Sequence, residues 1–131
     1  MFMGKSWREG GCHCGRVKWR ALTPDRAEAE RCNCSICSMT GFIHLIIPAR
    51  DFELLSGEQE LSEYRFHKKI AIHKFCSHCG IKSFYIPRSN PDGISLNVNC
   101  MDKESFEALE VTDFDGVNWE QNAARLAHKS D

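Results

Sequence analysis

A chain of 131 residues suits one compact unit, expected to be a single domain over 1–131 with its core at about 10–120. With 42 % apolar residues, 27 % charged residues and a formal net charge of −1, it has no apolar run of membrane-spanning length. It also lacks the basic field that nucleic acid or an anionic membrane attracts.

The N-terminal Met-Phe-Met-Gly-Lys-Ser has no apolar core of signal-peptide length, so a cytoplasmic chain with reduced thiols is expected. The first informative motif is Cys12-His13-Cys14-Gly15. Residues 15–21 then alternate polar with apolar and put Val17, Trp19 and Ala21 on one face of a strand. Cys32-Asn33-Cys34-Ser35-Ile36-Cys37 is a second cysteine cluster, and 35–40 suits a short helical turn after it. Residues 42–47, apolar and β-branched, read as a strand stopped by Pro48.

Further along, 63–66 and 70–75 read as the arms of a hairpin across His67-Lys68-Lys69, with Ala71, His73 and Phe75 sharing one face. Cys76-Ser77-His78-Cys79-Gly80 is the third cluster. Residues 82–86 and 94–100 form another strand pair, joined by the turn-forming Pro87-Arg88-Ser89-Asn90-Pro91-Asp92-Gly93 and reaching the lone Cys100. Asp102 and the acids after it predict a helix over 102–109, and 119–128 suits an amphipathic helix. These elements describe a small, mainly β domain with short peripheral helices.

Eight cysteines in a secreted chain would point to disulfides; with reduced thiols, metal is the better explanation. Cysteines two apart are too close for an unstrained disulfide, but both sulfurs can meet one ion if the backbone turns between them. A glycine after such a pair can take φ > 0 and let backbone N–H groups reach the thiolates. Two pairs sum to four sulfurs and close a tetrahedral zinc site, whereas three ligands leave a position for water or substrate. The simplest partition gives Cys12, Cys14, Cys76 and Cys79 to a structural zinc and Cys32, Cys34 and Cys37 to an open one. Two alternatives stand beside it: a redox centre at the middle cluster, or one four-cysteine site with a reactive thiol left over. Cys100 reads as a small buried apolar residue, with a ligand role as the alternative.

Such a partition makes zinc a staple between the N-terminal hairpin and the middle of the chain. Structural zinc contributes an apparent ~10–16 kcal/mol in small peptide systems, enough to decide whether a domain with short strands folds. An open cysteine-only site loses metal and oxidises more readily, so its occupancy is expected to be the lower of the two.

Gly10-Gly11-Cys12-His13-Cys14-Gly15, the middle cluster and Phe75-Cys76-Ser77-His78-Cys79-Gly80 together resemble the glutathione-dependent formaldehyde-activating enzyme family. Residues 84–93 and Phe114-Asp115-Gly116-Val117-Asn118-Trp119-Glu120 are similar to segments of its centromere protein V-like branch, so the resemblance runs over 10–119. It implies a β-rich fold of the Mss4-like, or β-tent, type around a structural zinc. It also implies a structural role for Cys12, Cys14, Cys76 and Cys79 and a catalytic role for Cys32, Cys34 and Cys37. The implied activity is that of a carbon–sulfur lyase, in which glutathione and formaldehyde combine reversibly as S-hydroxymethylglutathione.

The expected partner is therefore a small thiol or thiol adduct, with neither nucleic acid nor membrane. The competing class is a non-catalytic zinc module that scaffolds a protein partner; it would close the open position with Cys100 or a histidine. His44 reads as a packing residue with a catalytic alternative. His73 is a candidate donor to a ligating sulfur, and His13 and His78 lie between ligands. Arg88 and Asn90 read as turn residues, with recognition of a peptide carboxylate as the alternative.

Overall fold

The computed structural model describes residues 4–66 and 71–130, and the strands come first in accounting for them. β1 (Lys5–Gly11), β2 (Lys18–Pro24) and β5 (Phe52–Ser56) form a three-stranded antiparallel sheet with β2 in the centre. The alternation read from sequence buries Trp19, Ala21 and Thr23 on one face of β2. A second sheet has seven strands in the order β10-β3-β4-β9-β8-β7-β6. Its members are β3 (Arg26–Cys32), β4 (Ile43–Pro48), β6 (Leu61–Tyr64), β7 (Ile72–Cys76), β8 (Phe84–Ile86), β9 (Gly93–Asn97) and β10 (Ala108–Phe114). Its pairs are antiparallel except β10 with β3, which run parallel. Two short helices, α1 (Ser35–Thr40) and α2 (Trp119–Asn122), and several 3₁₀ turns lie at the periphery. The result is a mixed domain, a multi-strand sheet with small helical pieces around it, and among the described residues no helix is long and apolar enough to cross a membrane.

One apolar cluster is shared by both sheets. Trp19 and Ala21 from the first, with Val17 just before β2, meet Ala27, Ala29, Leu45, Ile47, Phe84 and Leu96 from the second. Trp19 is fully buried, packs against Phe52 at 5.8 Å between ring centroids, and donates its indole N–H to Ser83 Oγ at 3.1 Å. Its one polar atom is thereby satisfied, as burial of an indole requires.

Three expectations are corrected. Residues Val98–Cys100 form a 3₁₀ turn rather than the end of a strand, because Asn97 Oδ1 accepts from Asn99 N at 3.1 Å and ends the ladder at Asn97. Asp102 does cap a turn, accepting from Glu104 N at 3.0 Å, but the turn stops at Ser105 and the chain then pairs with β3 as β10. The C-terminal helix is four residues long and continues as 3₁₀ turns. The hairpin arms lie at 61–64 and 72–76, and the expected turn at 67–69 lies outside the described residues.

Arg8 fastens the three-stranded sheet to the segment before β10. Its buried guanidinium lies 4.4 Å from the Phe106 ring centroid and donates to Asp25 Oδ1 at 2.9 Å, Thr23 Oγ1 at 3.0 Å and Ser105 Oγ at 3.1 Å. Hydrogen bonds from Ser6 and Arg8 hold the Asp25 carboxyl below its ordinary value of 3.8. The folded state thus binds that proton at lower pH than the unfolded chain. The stabilisation is complete above the ordinary carboxylate range and is lost as pH falls through the folded value. Asp25→Asn is expected to lower the urea midpoint at pH 7, and the gap to the parent should narrow below about pH 4. Equal gaps at both pH values would contradict this account.

Candidate functional site

The fold gathers seven of the eight cysteines into two groups. Cys12 and Cys14 lie in the turn between β1 and β2, Cys76 ends β7, and Cys79 follows in the turn toward β8. The two turns that carry them close on Gly15 at φ 83° and Gly80 at φ 76°, values that favour glycine. The four sulfurs lie within 4.8 Å of one another, with Cys12 to Cys14 and Cys14 to Cys76 both at 3.6 Å. A disulfide needs about 2.05 Å. Tetrahedral zinc with bonds of about 2.3 Å has sulfur–sulfur edges of about 3.8 Å, so separation and donor type both fit that ion. The backbone serves the same sulfurs: Val17 N–H donates to Cys12 Sγ at 3.3 Å.

Ionisation is uneven in this group. Burial pushes the Cys12 thiol up to about 11, while the backbone N–H of Arg16 lowers Cys14. Burial also opposes ionisation of Cys79, but backbone N–H groups of Cys14 and Ile81 outweigh it and bring that thiol to about 6. Cys100 stays outside the group, half-buried, with burial raising its thiol to about 11. His13 is exposed, and His78 Nε2 pairs with Glu60 Oε2 at 2.6 Å.

Cys32, Cys34 and Cys37 form the second group, also within 4.8 Å of one another. Cys32 ends β3, Cys34 precedes the first residue of α1, and Cys37 is buried within that helix. Gly41, at φ 68°, ends α1, with its N–H on Cys37 O. The loop after β10 lies directly on these sulfurs: a Cβ at Gly116 would fall 2.3 Å from Cys32 Sγ and 3.1 Å from Cys34 Cβ. Asn33 anchors that loop, donating to Asp115 Oδ1 at 3.2 Å and accepting from Val117 N at 3.0 Å. Hydrogen bonds from Cys32 and then Cys37 hold the Cys34 thiol down at about 2, and the same contacts push Cys37 up. Three thiolates this close together would require a cation.

His44, on β4, touches this group. Its Nε2 lies 3.1 Å from Cys37 Sγ, while Nδ1 lies 3.0 Å from Ser95 Oγ and 3.3 Å from the Tyr85 hydroxyl. Were a hydroxyl to donate to Nδ1, the ring proton would sit on Nε2 and face the sulfur, as a ligating thiolate requires. Burial pushes the imidazole down to about 3, so it is neutral at ordinary pH. It stays outside the three-sulfur group, and no fourth Cys, His, Asp or Glu among the described residues joins that group.

A cavity of about 890 Å³ opens over Cys32, Cys34 and Cys37, and none of the other four clustered cysteines lines it. Ile36, Ile46, Phe114 and Leu126 make its walls apolar, and His73, Tyr85 and Arg88 also border it. Arg88 pairs with Glu120 at 2.7 Å across the rim. Asn90 is not a cavity residue: its side-chain amide donates to Leu126 O, Ala127 O and Ser130 Oγ at 2.9–3.1 Å and clamps the C-terminal segment. Sequence reasoning missed Glu30, Lys82, Tyr85 and Gly116. Glu30 is buried in an ion pair with Lys129, and burial raises its carboxyl. For Glu30 a glutamate inside a strand was the available signal, since such residues are buried only when paired.

Gly116→Ala is expected to lower stability by about 1–3 kcal/mol, because the added methyl must displace either the loop or Cys32. Cys32 should also react faster with a thiol reagent in the metal-free protein. Unchanged melting temperature and thiol reactivity would show that the loop does not rest on the sulfurs.

A model of the glutathione-dependent formaldehyde-activating enzyme family matches residues 7–114. A Halomonas elongata protein, named as a candidate glutathione-dependent formaldehyde-activating enzyme, is 32 % identical over 79 residues, covering 54 % of this chain and 50 % of the relative. The chain thus spans about half the length of that relative. A crystal structure of a Rhodobacter sphaeroides protein is similar with a TM-score of 0.68 at 30 % identity, over 81 % of this chain and 99 % of the other. Matched along most of its length, the chain belongs to the glutathione-dependent formaldehyde-activating enzyme family.

Proposed function

We propose that the chain is a zinc-dependent enzyme of carbon–sulfur lyase type that acts on a thiol adduct such as S-hydroxymethylglutathione. The observation that carries this reading is the inequality of the two cysteine groups: the one with three sulfurs borders the cavity and the one with four does not. Family membership supports the substrate class. Cys12, Cys14, Cys76 and Cys79 would hold a structural zinc that staples a fold of the Mss4-like type, and Cys32, Cys34 and Cys37 would hold a second zinc. When bound there, zinc supplies Lewis acidity and favours the thiolate form of a thiol.

The chain's own residues provide the rest. With zinc bound, His44 Nε2, 3.1 Å from the Cys37 sulfur, would donate to that thiolate and fix its direction. The loop at Gly116 covers Cys32 from one side, which leaves the cavity as the approach. The apolar side chains on its walls would limit the water that competes for the carbonyl carbon. In the addition direction the thiol sulfur bonds to the carbonyl carbon, the C=O π pair moves to oxygen, and the thiol proton ends there; the lyase direction reverses each change. Addition of this kind is easy and reversible, which suits a centre already rich in thiolate charge. The segments at 84–93 and 114–120 support placement in the centromere protein V-like branch. A single domain in the reducing cytoplasm belongs to the same reading.

Zinc content tests the partition. The parent is expected to carry two ions per chain, Cys34→Ser to lose one with its circular dichroism retained, and Cys76→Ser to lose the fold. One ion in the parent, or equal unfolding in both variants, sinks the partition. Activity is tested by NMR exchange in mixtures of glutathione and formaldehyde: the parent should accelerate adduct formation and Cys34→Ser should not. A rate equal to the uncatalysed one in the zinc-loaded parent removes the lyase assignment.

A further inference from the structure

The cavity-lining side chain held most firmly from several directions is His73, at the second position of β7. It is 4 % exposed. Its ring stacks against Tyr85 of β8 at 4.9 Å and 14° and against Phe66, just beyond the end of β6, at 5.3 Å and 18°. Rotation within the stack is blocked by Lys82, whose Nζ lies 2.7 Å from His73 Nδ1. Lys82 is itself buried, with its ammonium 3.8 Å from the Tyr85 ring centroid and 4.9 Å from that of Phe42. An ammonium has donors and no acceptor, so Nδ1 accepts and the imidazole proton sits on Nε2. That Nε2 is buried and has no hydrogen-bond partner among the described residues. Buried N–H groups in folded proteins are paired, and an unpaired one beside a cavity points to a ligand. Burial lowers Lys82 to about 8 and His73 to about 4, which keeps the lysine charged and the imidazole neutral near pH 7.

We infer that His73 is the cavity's hydrogen-bond donor to the oxygen of a bound thiol adduct, with Lys82 as the positioning residue that fixes its tautomer. This rests on the thiol-adduct reading above. The adduct has a single oxygen on its reacting carbon, a carbonyl before addition and a hydroxyl after it. As the sulfur–carbon bond forms and the π pair moves to that oxygen, Nε2–H donates to the developing charge. The thiol proton completes the hydroxyl, and His73 keeps its own proton throughout. A donor placed where charge develops accelerates the step rather than merely tightening binding.

Nitrogen-15 NMR of the histidines in the zinc-loaded protein tests the first half. His73, identified by its loss in His73→Phe/Lys82→Met, should show the Nε2–H tautomer, and that signal should shift when S-hydroxymethylglutathione is added. The double variant keeps an aromatic ring in the stack and leaves no buried ammonium unpaired. With native circular dichroism it should lose roughly 10²-fold in kcat with little change in KM. His73→Gln/Lys82→Met, which retains an amide donor, should recover part of that loss. An Nδ1–H tautomer in the parent overturns the inference. So does a folded double variant with parental kcat, or an unmoved His73 signal while that of His44 shifts. If no signal shifts and the parent shows no acceleration, the thiol-adduct reading fails and the donor role falls with it, while an Nε2–H tautomer would still uphold the part assigned to Lys82.

Discussion

Sulfurs 3.6 Å apart are too close to be ionised together unaided and too far apart to be bonded as a disulfide, and the corner where the two sheets meet is built around four of them. Cys12 and Cys14 come from the turn of the three-stranded sheet, and Cys76 and Cys79 from the end of a strand in the seven-stranded one. Whatever settles their charge also settles how the sheets are joined. The apolar cluster around Trp19 spans the same junction, so sulfur chemistry and core packing constrain one another.

The cavity inherits its geometry from that corner. β7 ends in Cys76 at the four-sulfur group and carries His73, three residues earlier, to the cavity wall. β8 supplies Tyr85, which lies against both His73 and His44. The two histidines serve different atoms. His44 has Cys37 Sγ on one nitrogen and Ser95 Oγ on the other, whereas His73 has the Lys82 ammonium on one nitrogen and no hydrogen-bond partner among the described residues on the other. In both cases the neighbour on one ring nitrogen bears on which nitrogen carries the proton.

What the sequence made legible was local. Alternation exposed β2, β-branched residues exposed β4, and cysteine spacing identified which sulfurs are neighbours within each cluster. Counting sulfurs also paired the distant first and third clusters, and the sheet order shows how the chain brings them together. β3 shows why parts were missed: Arg-Ala-Glu-Ala-Glu-Arg is made of helix formers, yet β10 and β4 pair on either side of it and tertiary pairing overrides propensity. Cys100 was misplaced for the opposite reason, since an alternating pattern was cut short by one asparagine side chain. His44 read as packing and is indeed buried; that its ring meets Cys37 is a consequence of register, Glu30 opposite His44 and β3 ending at Cys32. Lys82, just before β8, carried no recognisable motif because its meaning lies in a histidine nine residues away on β7.

The clamp at Asn90 separates two kinds of inheritance. Val117, Asn118, Glu120 and Leu126 border the cavity from a stretch of chain that contains no cysteine, and it is fixed by the Asn90 amide, by Ser130 on Asp92 and by Lys129 on Glu30. Substitution there can redraw the outline of what the cavity admits while leaving each thiol and its hydrogen bonds in place. The thiols and the outline of the cavity are thus set by different parts of the chain, so one can be altered without the other.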